Sequence, residues 1–201
     1  MPKYKLIYFD IGGRAEPIRM GFALAGQEFE DVRIKKEQWP ELKPKMPHQA
    51  LPVLEIEGGV VLSQSFAIGR YVANEFGFAG KTNLEKAQAD MFCDALNDLT
   101  PKLVELSHGS DERKAEVRKE LFEKLIPAAF TNMERLFSKN KDGTGFLVGD
   151  GITWADIMFY NFADGMEQVE PDVLKNFPKL QGLLERVRNN PKIKEYIKNR
   201  K

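Results

Sequence analysis

An α/β unit over residues 1–79 followed by an all-helical unit over 80–201 is the fold class the sequence predicts, and three observations carry it. Short runs rich in Tyr, Ile, Val and Phe alternate with turn signals through the first part of the chain; Gly58-Gly59 separates two such runs; and beyond residue 83 apolar residues recur at helical spacing while Pro and Gly thin out.

Taken in order, KYKLIYF at residues 3–9 predicts a strand, because its aromatic and β-branched side chains suit a pleated surface, and Asp10–Gly13 supplies a turn. Gly13–Ala25 predicts a helix with Pro17 tolerated in its first turn and Gly26 as its stop. FEDVRI alternates as a second strand, and Trp39, Pro40, Pro44 and Pro47 mark a loop with one short helix. PVLEIEGGVVLSQS reads as strand, turn and strand, the paired glycines fitting a tight hairpin. Ser65 is then expected to cap a helix reaching about Phe76. The order β-α-β followed by β-β-α implies one mixed sheet covered by helices.

A linker at 77–82 leads into the helical unit. Residues 83–108 predict one long helix with Ala87, Met91, Ala95, Leu99 and Leu103 near one face. Residues 111–138 predict a second, with Leu121, Leu125, Ala129, Met133 and Phe137 in register and a kink at Pro127, which lacks a donor and crowds the preceding turn. After the polar loop KNKDGTG, Thr153 and Asp156 approximate a capping box for a helix starting at Trp154, itself expected as a core anchor. Pro171, Pro178 and Pro191 punctuate the final helices.

Composition narrows the function. The 201 residues carry 30 Lys plus Arg and 30 Asp plus Glu, a formal net charge of zero that disfavours a broad nucleic-acid-binding surface. No apolar run is long enough to span a membrane and MPKYKL does not resemble a signal segment, so the expectation is a cytoplasmic protein without membrane insertion. The single cysteine, Cys93 in MFCDAL, is expected to be a buried structural thiol. His48 and His108 show no metal-ligand spacing, and no phosphate-binding or dinucleotide-binding glycine fingerprint is present.

Several motifs then stand in a particular order: YFDIGGRAEPIR at 8–19, Trp39 followed by Lys43, QALP at 49–52, Gln64-Ser65, and GITWADI at 151–157. Together they resemble the cytosolic glutathione transferases, specifically the sigma-like class with its invertebrate members and its glutathione-dependent prostaglandin D synthase group. The resemblance covers essentially the whole chain. It implies a thioredoxin-like first domain that binds glutathione, a helical second domain that contributes an electrophile pocket and dimer contacts, and a homodimer.

Such an enzyme needs a sulfur nucleophile, yet a free thiol with a pKa of about 8.5 is only a few per cent thiolate near neutrality. A positioned phenol can donate a hydrogen bond to sulfur and favour the anion, and each unit of lowering is worth about 1.4 kcal/mol. The resemblance assigns this role to Tyr8, at the end of the first strand, where packing in the core is the competing reading. Arg14 is implied to stabilise the sulfur region or hold its shape. Arg19 is read as a salt bridge within the fold at least as readily as a ligand contact, and stays outside the site.

The family pattern places further glutathione contacts at Trp39 (an indole donor and apolar wall), Lys43 (paired with the glycyl carboxylate), Gln49, Leu51 and Pro52. The family has a cis proline at this last position, exposing the preceding backbone to the bound tripeptide. Gln64 and Ser65, at a helix start, are implied to receive the γ-glutamyl carboxylate. Asp98 matches an acidic residue that reaches the glutathione amine from the partner chain, although DALNDL also reads as the solvated edge of a helix. Asn97 beside Asp94 and Asp98 lowers the ligand charge there, so no tightly bound metal is expected.

Candidate walls for the second substrate are Phe9, Gly13, Leu103, Met158 and Phe162, against the alternative that apolar helical residues serve as core. The expected activity is conjugation of glutathione thiolate to apolar electrophiles, with lipid-peroxide reduction beside it. Two alternatives remain open: isomerisation of prostaglandin H to D, weakened by the absence of Trp in TPKLVEL at 100–106, and a low-turnover carrier of apolar ligands.

Overall fold

The computed structural model describes residues 3–200. Compactness divides the chain into two units, one holding residues up to Gly77 together with those from Pro191 onward, the other Phe78–Asn190. A division by sequence order at 79/80 does not anticipate this return of the last helix to the first unit.

In the first unit, β1 (Tyr4–Phe9) leads through a 3-10 turn at Gly13–Ala15 into α1 (Glu16–Ala25), which carries Pro17 in its first turn. Gly26 ends α1 in the left-handed conformation, φ 69°, as its lack of a Cβ permits. β2 (Glu30–Ile34) follows, then the short helix α2 (Trp39–Leu42) among 3-10 turns, and the hairpin of β3 (Val53–Ile56) and β4 (Val60–Ser63) around Gly58 and Gly59, both at positive φ. Among the described residues the strands form one sheet in the order β2-β1-β3-β4, with β1 parallel to β2 and the other neighbours antiparallel. Tyr8 lies opposite Arg33, and Ile7 opposite both Val32 and Val53. The next helix, α3 (Ser65–Glu75), packs with α1, and Tyr4, Leu6, Ile18, Phe22, Ile68 and Val72 are buried. Tyr4 meets Phe22 at 5.3 Å, and Phe22 stacks on Phe29 at 4.6 Å.

The helical unit departs from the expected long rods. Residues 83–108 form two helices, α4 (Asn83–Asn97) and α5 (Thr100–His108), because Pro101 cannot donate into a continuous ladder. The buried face of α4 is Ala89, Phe92, Cys93 and Leu96, whereas Ala87, Met91 and Ala95 of the anticipated stripe are exposed. The second segment bends as Pro127 requires: α6 (Asp111–Glu120) passes through a π-helical turn at Leu121–Leu125 into α7 (Ile126–Phe137), with Pro127 in the first turn of α7. α8 (Trp154–Val169) and α9 (Pro178–Arg188) complete the unit. Phe130 of α7 is fully buried against Phe159, Phe162 and Phe177, a burial worth about 1.5–3 kcal/mol for its side chain. The capping box forms with Asp156 wholly buried, and Trp154 is a core residue whose amide donates to Phe78 O at 3.0 Å. Cys93 is buried as expected.

The final helix α10 (Pro191–Asn199) packs on α1, where Lys192 Nζ donates to Leu24 O at 2.8 Å. No helix among the described residues is long and apolar enough to cross a membrane.

Candidate active site

β1 carries Tyr8 to its C-terminal end, buried except for 7% of its surface. The chain then turns back over it. Gly13, at φ 46°, lies so close that a Cβ there would stand 2.9 Å from the Tyr8 oxygen and 3.1 Å from its ring, so only glycine fits. The turn aims the Arg14 backbone amide at the Tyr8 oxygen, to which it donates at 3.3 Å. That amide occupies one lone pair of the phenol oxygen and leaves its own O–H to donate outward. Arg14 thus acts on Tyr8 through its main chain, while its side chain is exposed.

Phe9 is half-buried and stands between Tyr8 and Trp39, with ring centroids 5.7 Å from each in edge-to-face contact. Trp39 opens α2, and Lys43 at its end is exposed. Gln49 has positive φ, as does His48, whose Nδ1 lies 2.8 Å from Ser63 Oγ; this contact draws the 47–49 turn toward the end of β4. The Leu51–Pro52 peptide is cis.

At the junction of β4 and α3 the expected cap moves by one residue. Gln64, at φ 72° and ψ 111°, is the N-cap, and Ser65 is the first helical residue. No side-chain cap is made, so the Ser65 hydroxyl is not spent on the helix. Gln64 O accepts from Ile68, and the first amides of α3 form the kind of helix start that receives a carboxylate.

The remaining candidates belong to the helical unit. Asp98 is exposed at the end of α4. Leu103 on α5 and Met158 on α8 are half-buried, while Phe162 is buried and meets Phe130 at 6.0 Å within its own unit's core.

Arg19 forms the salt bridge within the fold that the sequence allowed. It is 0% exposed, donates from Nε to Asp31 at 3.0 Å and from Nη1 to the carbonyls of Ile11 at 2.9 Å and Gly12 at 3.3 Å, and its guanidinium lies 6.0 Å from the Tyr8 ring centroid. What the sequence did not reveal is its hold on the carbonyls of the loop beside Tyr8. Among the described residues no cluster of His, Cys, Asp or Glu is arranged to hold a metal ion.

A phenol at a strand end, an aromatic wall beside it and a helix start lie within one mixed β/α unit, as the resemblance expects. Comparison with known proteins agrees. Residues 4–74 match the glutathione S-transferase N-terminal domain, and residues 97–200 the glutathione S-transferase C-terminal domain. Glutathione S-transferase 1 of Ascaris suum is 41% identical over 207 residues, and S-crystallin SL11 of Nototodarus sloanii 38% over 200 residues, each covering 100% of this chain and 98% of the relative. The solved structure of prostaglandin synthase D of Nilaparvata lugens superimposes with a TM-score of 0.88 at 33% identity, covering 99% of this chain and 98% of that one. The chain belongs to the glutathione S-transferase family, with the family's thioredoxin-like and helical domains and its activity, conjugation of glutathione to electrophiles.

Proposed function

We propose that Tyr8 donates its hydroxyl proton to the sulfur of bound glutathione, holding it as thiolate for attack on an apolar electrophile. The observation that carries this is the Arg14 amide bonded to the Tyr8 oxygen beside a glycine whose missing Cβ leaves room for the hydroxyl. Trp39, Lys43, Gln49, Leu51 and Pro52 flank the tripeptide on one side, and Gln64 with Ser65 receives the γ-glutamyl carboxylate at the start of α3.

The protein works as a homodimer. Leu84 and Met91 are 70% and 46% exposed on α4, and Asp98 continues their seven-residue spacing, so a second copy covering this stripe also receives Asp98 toward its glutathione amine. Prostaglandin H isomerisation is the second reading, favoured by the likeness to the Nilaparvata lugens enzyme.

The test is ultraviolet titration of the bound thiolate, with turnover measured on an aryl halide, a lipid hydroperoxide and prostaglandin H, in the parent and in Tyr8→Phe. Loss of one hydrogen bond to a charged group raises the thiol pKa by about 1–2 units and cuts neutral-pH turnover by a factor with an upper limit of roughly 10 to 100. Identical titrations in the two proteins would rule out the Tyr8 assignment. The preferred substrate decides between conjugation and isomerisation.

A further inference from the structure

The loop that shapes Tyr8 is held by a line of polar contacts that begins on the last helix. Tyr196 of α10 donates its hydroxyl to Glu16 Oε1 at 3.0 Å, across 180 residues of sequence. Glu16 is only 5% exposed, and its other oxygen lies 3.4 Å from Arg19 Nη1. That same nitrogen holds the carbonyls of Ile11 and Gly12, and the next two residues are Gly13, which leaves room for the Tyr8 hydroxyl, and Arg14, whose amide bonds it.

A buried carboxylate is costly unless paired, and leaving its charge short of a partner unsettles every group around it. Glu16 is satisfied by Arg19 on one side and by Tyr196 and Arg200, the latter at 3.4 Å, on the other. Tyr196 therefore draws part of the carboxylate's charge away from Arg19. Asp31 pairs with Arg19 Nε at 3.0 Å, and what remains of the guanidinium's positive field reaches the Tyr8 ring 6.0 Å away, where it favours negative charge on a sulfur bonded to the phenol. Burial, and then the negative charge of Glu16, push the Tyr196 phenol far above its ordinary value, so it remains a protonated donor throughout the range in which a thiol titrates.

We propose that Tyr196 is a positioning residue for thiol activation, acting on Tyr8 through Glu16 and Arg19 and so making the C-terminal helix part of the catalytic machinery. This rests on the role of Tyr8 given above. The experiment compares the parent, Tyr8→Phe, Tyr196→Phe and, as a control for lost stability alone, Tyr160→Phe, whose hydroxyl bonds Asp164 in the helical unit.

In Tyr196→Phe the pKa of bound glutathione rises by about 0.5 unit, a loss of thiolate at neutral pH whose upper limit is roughly threefold. Turnover falls by the same factor, KM for glutathione is unchanged, and the deficit disappears at a pH above the thiol pKa. Tyr160→Phe titrates as the parent does. If Tyr8→Phe shifts the thiol and Tyr196→Phe does not, or if the Tyr196→Phe deficit persists at high pH or appears only in KM, the relay is refuted while the Tyr8 role stands. If Tyr8→Phe itself leaves the titration unmoved, both fail.

Discussion

Gly13 sits against the Tyr8 hydroxyl with no room for even a methyl group between them: a Cβ at residue 13 would lie 2.9 Å from the phenolic oxygen. The same residue has φ 46°, a conformation that side chains disfavour by roughly 1 kcal/mol. Gly13→Ala is therefore expected to push the Tyr8 hydroxyl aside more than it unfolds the protein. Misplacement of a reacting group by about 1 Å costs on the order of 100-fold, so kcat for conjugation should fall 10- to 100-fold while the melting temperature drops only slightly. Full activity in Gly13→Ala would mean the hydroxyl has another way to reach sulfur.

Ser65 allows a separation of ligand binding from helix capping. Were it the N-cap of α3, replacement by Ala would cost about 1 kcal/mol of stability. Gln64 occupies that position and Ser65 begins the helix, so Ser65→Ala should leave urea unfolding within about 0.5 kcal/mol of the parent. Loss of a hydroxyl donor to a carboxylate, worth about 1.5 kcal/mol or more, should instead raise KM for glutathione roughly tenfold with kcat little changed. An unfolding midpoint that moves while KM does not would place the hydroxyl in the fold and not on the ligand.

What was legible in the sequence was set by local chemistry. Gly58-Gly59 announced the hairpin, Gly26 the end of α1 and Pro127 the distortion before α7, since each restricts its own backbone. Register at the β4–α3 junction was not local. Ser65 has the side chain of a cap, but the positive φ of Gln64 starts the helix one residue later than a hydroxyl-based reading places it. On α4, two apolar stripes share the helix: Ala87, Met91 and Ala95, and Ala89, Phe92, Cys93 and Leu96. Periodicity identifies both as faces and is silent on which one this chain buries. Around the candidate site, the place of Tyr8 near the end of β1 was readable from the sequence, whereas the link from Glu16 to the last helix was not. Glu16 and Arg19 are three residues apart on α1, but Tyr196 reaches Glu16 only through folding, and no spacing rule joins residues 180 apart.

The exposed α4 stripe leads to a test of assembly. Leu84 and Met91 present two large apolar side chains to solvent in the single chain, and Ala87 and Ala95 between and beyond them permit close approach. The parent should sediment as a dimer at micromolar concentration and Met91→Glu as a monomer, because burying an unpaired carboxylate at the centre of such a face costs several kcal/mol. A parent that sediments as a monomer would leave the stripe for another partner and remove the route by which Asp98 reaches a second active site.

Asp156 gives the pH dependence of stability a definite sign. Its Oδ1 accepts from Leu147 N at 2.8 Å, and its Oδ2 from Thr153 N at 2.7 Å and Thr153 Oγ1 at 2.8 Å. Complete burial nevertheless outweighs these bonds and pushes the carboxyl up to about 6, against about 3.9 in the unfolded chain. Between those values the folded state holds the proton more tightly. The stabilisation is therefore fully present below about pH 3.9 and is lost as pH rises through about 6, a change on the order of 3 kcal/mol. Asn at this position is neutral at every pH, so the stability advantage of the parent over Asp156→Asn should be largest near pH 4 and shrink by about that amount by pH 7, as read from urea unfolding at each pH. Asp156→Ala, which strands the buried amides of Leu147 and Thr153, should be the less stable of the two variants at every pH, its deficit against the parent being about 2–5 kcal/mol near pH 4 and shrinking toward pH 7 in the same way. An advantage over Asp156→Asn that grows with pH would mean that the three hydrogen bonds win over burial and that the folded protein keeps this carboxylate ionised.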